Sequence, residues 1–332
     1  ADSLTTMLQD PNASMGAVVQ DRGALSRIYP EYLEYMKQAN DATGKPVFLV
    51  SNIQGTSSDN TVMESTARGL PILDGVYSFL AGVRCMHRYR DYLKLENNNP
   101  EPVATQAITK WQQSIEQGQL IGEHEALEML ADNGIATNQS YCVDNLKNAI
   151  QSANKLGYPV VLKTAVSGIS HKSEVHGVHL NLNSEDELKG AYEDLEKRLG
   201  PKVLISPMID NEGVEMILGM TTDPQFGPMI ALGFGGVYAE VLKDVVTLMP
   251  PFSAQIAEQA LSELKMKSLL DGYRGKEAVN VGSFCEMASQ FSLFAIAMQN
   301  QICEIDVNPI ILGKDICLGL DALMVVHEEN QT

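Results

Sequence analysis

Along the first hundred positions, apolar residues fall into short continuous runs separated by stretches with helical spacing. "MGAVVQ" (15–20), "KPVFLVSN" (45–52) and "LPILDG" (70–75) are runs of this kind. Between the first two, 27–43 carries Ile28, Tyr32, Leu33 and Met36 at the period of a helix face. A second helix is expected to enter at Ser58 or Asn60, and a long one follows "LPILDG" and ends near Leu95. The opening "ADSLTTMLQDPNASMGAVV" reads as a helix, a Pro-Asn turn and a strand. Continuously apolar strands separated by helices predict a parallel sheet covered on both faces.

"ENNNPEP" (96–102) is the clearest linker, and the texture changes beyond it. Helical patterns near 122–133 and 144–156 precede "YPVVLKTA" (158–165), and "VHLNL" (178–182) leads through "NSEDE", a helix cap, into an amphipathic helix over 185–198. Four apolar runs then come in succession: "KVLISPMI", "GVEMILGMT", "GPMIALGFG" and "EVLKDVVTLM". A helix spans roughly 278–300, and "CEIDVNPIIL" with "ICLGLDALMVV" closes the chain as a hairpin. This order predicts an α+β domain with a mainly antiparallel sheet. The whole reads as an α/β domain over 1–97 that looks flavodoxin-like, a linker over 98–104 and an α+β domain over 105–332.

Composition narrows the partners. At 332 residues the chain is long enough for two or three domains, and 44% hydrophobic with 20% charged residues is ordinary for a globular protein. No apolar run approaches the roughly 20 residues of a membrane span, so no membrane partner is expected. A net charge of −18 argues against nucleic acid, whose phosphates it would repel. A phosphate ligand remains compatible if lysines and a divalent cation neutralise it locally. Five cysteines without CxxC spacing predict a reduced, cytoplasmic chain. There is no initiator methionine and no signal peptide, so the first residue is expected to be an internal point of a longer polypeptide or of a processed subunit.

Chemistry concentrates in a few places. Lys163 ends a run of buried strand residues, where an ammonium either snorkels to solvent or meets an anion such as a nucleotide phosphate. His171 follows on a loop flanked by Gly and Ser, and a neutral imidazole is a competent nucleophile toward phosphorus. In "EIDVNPI", strand geometry puts Glu304, Asp306 and Asn308 on one face, and Asp321 should return opposite Asn308. Clustered carboxylates with an amide oxygen suit Mg²⁺, against the alternative of an ordinary polar hairpin face. Pro309 suggests an edge position. "GFGGV" (233–237) says only that backbone approaches something closely, and Glu215 is either a ligand contact or an outward-facing strand residue. A zinc reading of His171, His176 and His179 fares poorly: the last two are three apart on an expected strand, and no cysteine completes the set.

"GYPVVLKTAVSGISHKSEVHGVHLNL", "GVEMILGMTTDPQFGPMIALGFGGVYAEVLKDV", "LLDGYRG" and "EIDVNPIIL…LGLDA" together resemble the ATP-grasp module of the ADP-forming acyl-CoA synthetase superfamily. Residues 1–95 look like that superfamily's last CoA-ligase subdomain. The resemblance implies that Lys163 contacts nucleotide phosphates and that Asn308 and Asp321 hold Mg²⁺, with Glu304 and Asp306 close by. It makes Pro207, Met208 and Ile209 the adenine-side hinge, places Glu215 near the nucleotide, and gives Arg274 a phosphate-binding or loop-stabilising role. His171 matches a histidine that shuttles phosphate to the nucleotide. Implied cofactors and substrates are ATP or ADP, Mg²⁺, coenzyme A and a small carboxylate, joined through acyl phosphate and phosphohistidine intermediates. An upstream CoA-binding domain with the main phosphohistidine is the implied partner, in the same chain or another subunit, and a homo-oligomer is expected. One departure stands out: members usually read "HKSEVGGV", and His176 replaces the first of those glycines.

Three rival readings follow. A member of the superfamily could couple thioester formation to cleavage of dimethylsulfoniopropionate, with Trp111 or tyrosines holding the sulfonium by cation–π contact. A regulatory homologue would have lost turnover, whereas Lys163, His171, Asn308 and Asp321 are all present. An amide-forming ATP-grasp ligase would lack the segment 1–95.

Overall fold

The structure, a computed structural model, describes residues 2–20, 30–52, 60–94, 100–101, 105–169, 172–209, 213–236, 244–273 and 277–327. It divides into two units, Ala1–Glu96 and Asn97–Thr332.

In the first unit, helices α1 (Asp2–Gln9), α2 (Pro30–Thr43), α3 (Asn60–Ala67) and α4 (Val76–Lys94) alternate with strands β1 (Gly16–Gln20), β2 (Val47–Ser51) and β3 (Ile72–Asp74). The strands form a parallel sheet in the order β1-β2-β3. Leu8, Met36, Ala39, Val47, Leu49, Val62 and Ile72 make its core. The central strand β2 is buried nearly throughout, as a continuously apolar run predicts. Coverage on both faces fails at β1: it alternates in burial and leaves Val19 51% exposed.

The second unit begins with α5 (Gln106–Glu116) and α6 (Glu123–Asp132), then β4 (Tyr141–Val143), α7 (Leu146–Leu156), β5 (Val160–Thr164), β6 (Val178–Leu182), α8 (Glu185–Arg198) and β7 (Val203–Pro207). It continues through β8 (Val214–Asp223), β9 (Gly227–Phe234), β10 (Val245–Leu248), α9 (Ala254–Leu261), α10 (Val281–Met298), β11 (Ile302–Leu312), β12 (Cys317–Gly319) and β13 (Ala322–Val326). Two antiparallel sheets result. The smaller runs β4-β7-β5-β6, and the larger runs β10-β9-β8-β11-β12 with β13 also on β11. The helix expected over 185–198 has those bounds, because the Ser184 side chain caps the Glu187 amide and three acids occupy the first turn.

Each sheet has its own core. Val160, Leu162, Val203 and Ile205 pack against Ala149, Leu188, Tyr192 and Leu195 of α7 and α8. Met216, Leu218, Ile230, Ile305 and Val307 pack with Trp111, Leu127, Phe284 and Phe291 of α5, α6 and α10. Fully burying such a side chain is worth about 1.5–3 kcal/mol. By length and composition α10 could match a membrane span, but it is a core helix with Phe284, Phe291, Phe294 and Met298 buried.

Pro309 lies at no sheet edge. β11 has β8 on one side and β12 with β13 on the other. Its ladder with β8 is interrupted between Val307 and Ile310, and β13 pairing stops at Val307 before β12 pairing begins at Ile310. The missing amide hydrogen is tolerated because Pro309 sits in this break.

Candidate functional site

Within the second unit, β5 alternates between two environments. Val160, Leu162 and Thr164 are fully buried, the first two in the smaller sheet's core, so Lys163 projects from the opposite face. There its Nζ donates to Glu123 Oε1 at 2.6 Å and to Asp321 Oδ2 at 2.8 Å, with the Leu320 carbonyl at 3.4 Å. The Lys163 side chain is only 12% exposed. Burial disfavours its charge, but Asp321 and Glu123 together hold the ammonium above the usual lysine range.

Glu123 was not foreseen. It opens α6 and its side chain is 6% exposed, with Oε2 accepting a second ammonium, that of Lys172. The helix start is fixed by Glu125, whose carboxylate accepts the Gly122 amide at 3.0 Å. The turn after α6 is tied to β12: Asn138 N–H donates to Gly319 O at 2.7 Å and Gly319 N–H donates to Ala136 O at 3.0 Å. One clamp therefore brings together the start of α6, the end of β5 and the β12–β13 turn with Asp321.

Glu304, Asp306 and Asn308 occupy the face of β11 opposite buried Ile305 and Val307. The Asn308 amide donates to the Asp321 carbonyl at 3.2 Å, so the two lie across from one another. Burial first, then the charges of Glu304 and Asp321, raise the Asp306 carboxyl above its ordinary range. Among the described residues no group of three His, Cys, Asp or Glu side chains closes around one point. Mg²⁺ does not need such a cage, since it keeps several waters and takes one or two carboxylates. Asp321, Asp306 and the Asn308 amide oxygen are hard donors of the right kind, and they fit it.

Pro207 ends β7 and Met208 and Ile209 follow it, where the chain leaves the smaller sheet for β8 of the larger. Asn138 Nδ2 donates to Pro207 O at 3.1 Å and Met208 N–H donates to Pro159 O at 3.0 Å, which fixes this crossing. Glu215 lies on β8, and its carboxylate rests against Gly236 so closely that a Cβ there would meet Oε2 at 2.1 Å. A Cβ at Gly233 would meet the Asp244 carbonyl at 2.4 Å. The close approach read from "GFGGV" is thus made, at these glycines, by the protein's own strand and carboxylate. His171 and Arg274 lie outside the described residues. His176 sits in an exposed turn at φ +49°, and His179 faces Asp194 at 3.3 Å. Trp111, offered for a sulfonium, is 2% exposed in the core, with Lys110 over its ring and its indole N–H donated to Asp132.

The sequence profile of the ATP-grasp domain matches residues 113–326. The chain belongs to the ATP-grasp family. Similarity extends over 98% of this chain to a trans-feruloyl-CoA synthase from an unknown prokaryotic organism, 30% identical, of which the chain spans 46%. The ATP-grasp unit is also similar to the beta subunit of an ADP-forming acetate–CoA ligase I of Pyrococcus furiosus, 32% identical over 61% of this chain and 90% of that subunit. Among solved structures, one of Ca. Korarchaeum cryptofilum dinucleotide forming acetyl-coenzyme A synthetase 1 aligns with a TM-score of 0.58 and 32% identity. It covers 67% of this chain and 100% of that one, and holds coenzyme A and Mg-AMPPCP with its phosphohistidine segment pointing towards the nucleotide site. The chain spans about half the length of the first of these relatives.

Proposed function

We propose that this ATP-grasp protein is the nucleotide-handling part of an ADP-forming acyl-CoA ligase, which joins a small carboxylate to coenzyme A at the expense of ATP. The observation that carries the reading is Lys163, a buried ammonium held by Glu123 and Asp321 at the end of a strand. It is supported by family membership and by the relatives, whose names are those of a CoA synthase and a CoA ligase.

In this reading Lys163 binds nucleotide phosphate oxygens. Pro207, Met208 and Ile209 flank the adenine, and Glu215 stands beside the nucleotide. Asp321 and Asn308, with Asp306 and Glu304 adjacent, hold Mg²⁺, which when bound neutralises phosphate charge. His171 accepts the γ-phosphoryl group of ATP, its imidazole nitrogen forming the P–N bond as the bond to ADP breaks. The phosphoryl group then passes to the substrate carboxylate, and the thiol of coenzyme A displaces phosphate from the acyl phosphate to give the thioester. A covalent carrier lets two separated sites share one phosphoryl group. The CoA-binding domain with the main phosphohistidine is supplied by the same polypeptide or by a partner subunit, and the first unit serves as a CoA-ligase subdomain.

The test is a search for phosphohistidine. The protein incubated with Mg·ATP is digested and examined by mass spectrometry under alkaline conditions that preserve the P–N bond. Phosphate on the peptide containing His171, absent in Lys163→Met, supports the reading. A protein that binds Mg·ATP and is never labelled there removes His171 from the pathway.

A further inference from the structure

Lys172 is the second cation at the clamp, and nothing in the preceding function uses it. It follows His171, its side chain is 17% exposed, and its ammonium bonds the Glu123 oxygen that Lys163 leaves free. One buried carboxylate therefore bridges two lysines. Their charges balance only when Asp321 is counted: Lys163 and Lys172 against Glu123 and Asp321.

That balance is conditional. If Asp321 is drawn to a divalent cation, two ammonium groups share the single carboxylate of Glu123. The surplus positive charge then sits on side chains no more than 17% exposed, where it is costly unless an anion meets it. A phosphoryl group, with several oxygens arranged around one atom, suits two ammonium groups held side by side.

We infer that Lys172 is a second phosphate-binding cation of the nucleotide site, and that Glu123 is the positioning counter-ion that holds Lys163 and Lys172 together until phosphate oxygens take up Lys172. The inference rests on the nucleotide reading of this site and adds to it a ligand and its keeper. Glu123 is suited to the task because it projects from the first turn of α6, a rigid element that also favours a carboxylate electrostatically.

The experiment compares calorimetric binding of Mg·ATP, and of adenosine as a ligand without phosphate, to the whole chain and to Lys172→Met, Lys172→Arg, Glu123→Gln and Lys163→Met. Circular dichroism melting confirms that each is folded. Lys172→Met should weaken Mg·ATP binding at least tenfold, leave adenosine binding within twofold, and be largely rescued by Lys172→Arg. Glu123→Gln should leave adenosine binding unchanged while changing Mg·ATP affinity several-fold and steepening its salt dependence. If Lys163→Met loses Mg·ATP and Lys172→Met does not, the inference about Lys172 falls and the nucleotide reading stands. If the wild-type chain binds no Mg·ATP, both fall. Equal loss of adenosine and Mg·ATP in Lys172→Met would make Lys172 a structural residue and overturn the inference.

Discussion

Gly177 follows His176 in the turn that brings the chain back from Lys172 to β6, and replacing it with alanine is a sharp test of how that turn is built. Its amide donates to the Lys172 carbonyl at 2.7 Å, and its own carbonyl accepts the Thr164 amide at 2.8 Å. A Cβ at Gly177 would lie 2.7 Å from Thr164 Cγ2 and 3.0 Å from the Lys172 carbonyl oxygen. Thr164 is fully buried next to Lys163, so its methyl has little room to retreat. The neighbours must give by several tenths of an ångström, which puts the change in the upper half of the usual overpacking cost, about 2–3 kcal/mol. For a unit of this size that is a fall in melting temperature of about 4–12 °C. Because the displaced carbonyl belongs to Lys172, the variant should also lose affinity for Mg·ATP. Differential scanning calorimetry and nucleotide titration read the two effects. A Gly177→Ala protein melting within about 1 °C of wild type would refute the packing argument. The neighbouring His176→Gly should behave differently: that position is exposed, and relief of the left-handed backbone is offset by glycine's greater unfolded-state entropy, so stability should move by no more than about 1 kcal/mol. Of the two adjacent glycines in "HKSEVGGV", sterics require the second, and the first is replaceable at small cost.

Burial pushes the thiols of Cys285 and Cys317 up to about 12 and about 11, while Cys85 is exposed; alkylation of the native protein at neutral pH should label Cys85 within minutes and leave Cys285 unmodified, as peptide mass spectrometry would show. The bidentate Arg198 guanidinium beside Asp194 pulls that carboxyl down to about 2. A depressed carboxyl stabilises the fold above its unfolded pKa, and the contribution is lost as pH falls from the ordinary aspartate range through about 2. Because Arg198 also donates to the carbonyls of Val175 and His176, amide protection in 172–177, taken relative to intrinsic exchange at each pH, should fall across that window, and Asp194→Asn should remove that fall. Trp111 is the only tryptophan and is buried in the larger sheet's core. Its emission should report unfolding of the second unit and stay unchanged on adding dimethylsulfoniopropionate; quenching by that ligand would support Trp111 as a sulfonium contact.

Much of this was legible because it depends on local chemistry. Period-two alternation in "EIDVNPI" sorts Ile305 and Val307 into the core and Glu304, Asp306 and Asn308 onto the other face, and the length of the following turn sets Asp321 against Asn308. Glu123 was hidden for the opposite reason. It is forty residues from Lys163 in sequence, and an acid in the first turn of a helix looks like dipole compensation, a role its neighbour Glu125 does fill through the Gly122 amide. Pro309 misled because the rule against proline in central strands assumes an unbroken ladder, and β11 exchanges one partner for another at that point. The glycines of "GFGGV" announced close contact truthfully, but sequence does not say whether a ligand or the chain itself supplies the other surface.

In the proposed function, Lys163 and the carboxylates around Asp321 form a nucleotide site that works through Mg²⁺. Isothermal titration of the whole chain with ATP, with and without Mg²⁺, on wild type and Asp321→Ala, tests it most directly. Wild type should bind ATP at micromolar concentration only with Mg²⁺, and that binding should collapse in Asp321→Ala. Equal ATP affinity in the two proteins, or binding indifferent to Mg²⁺, would contradict it.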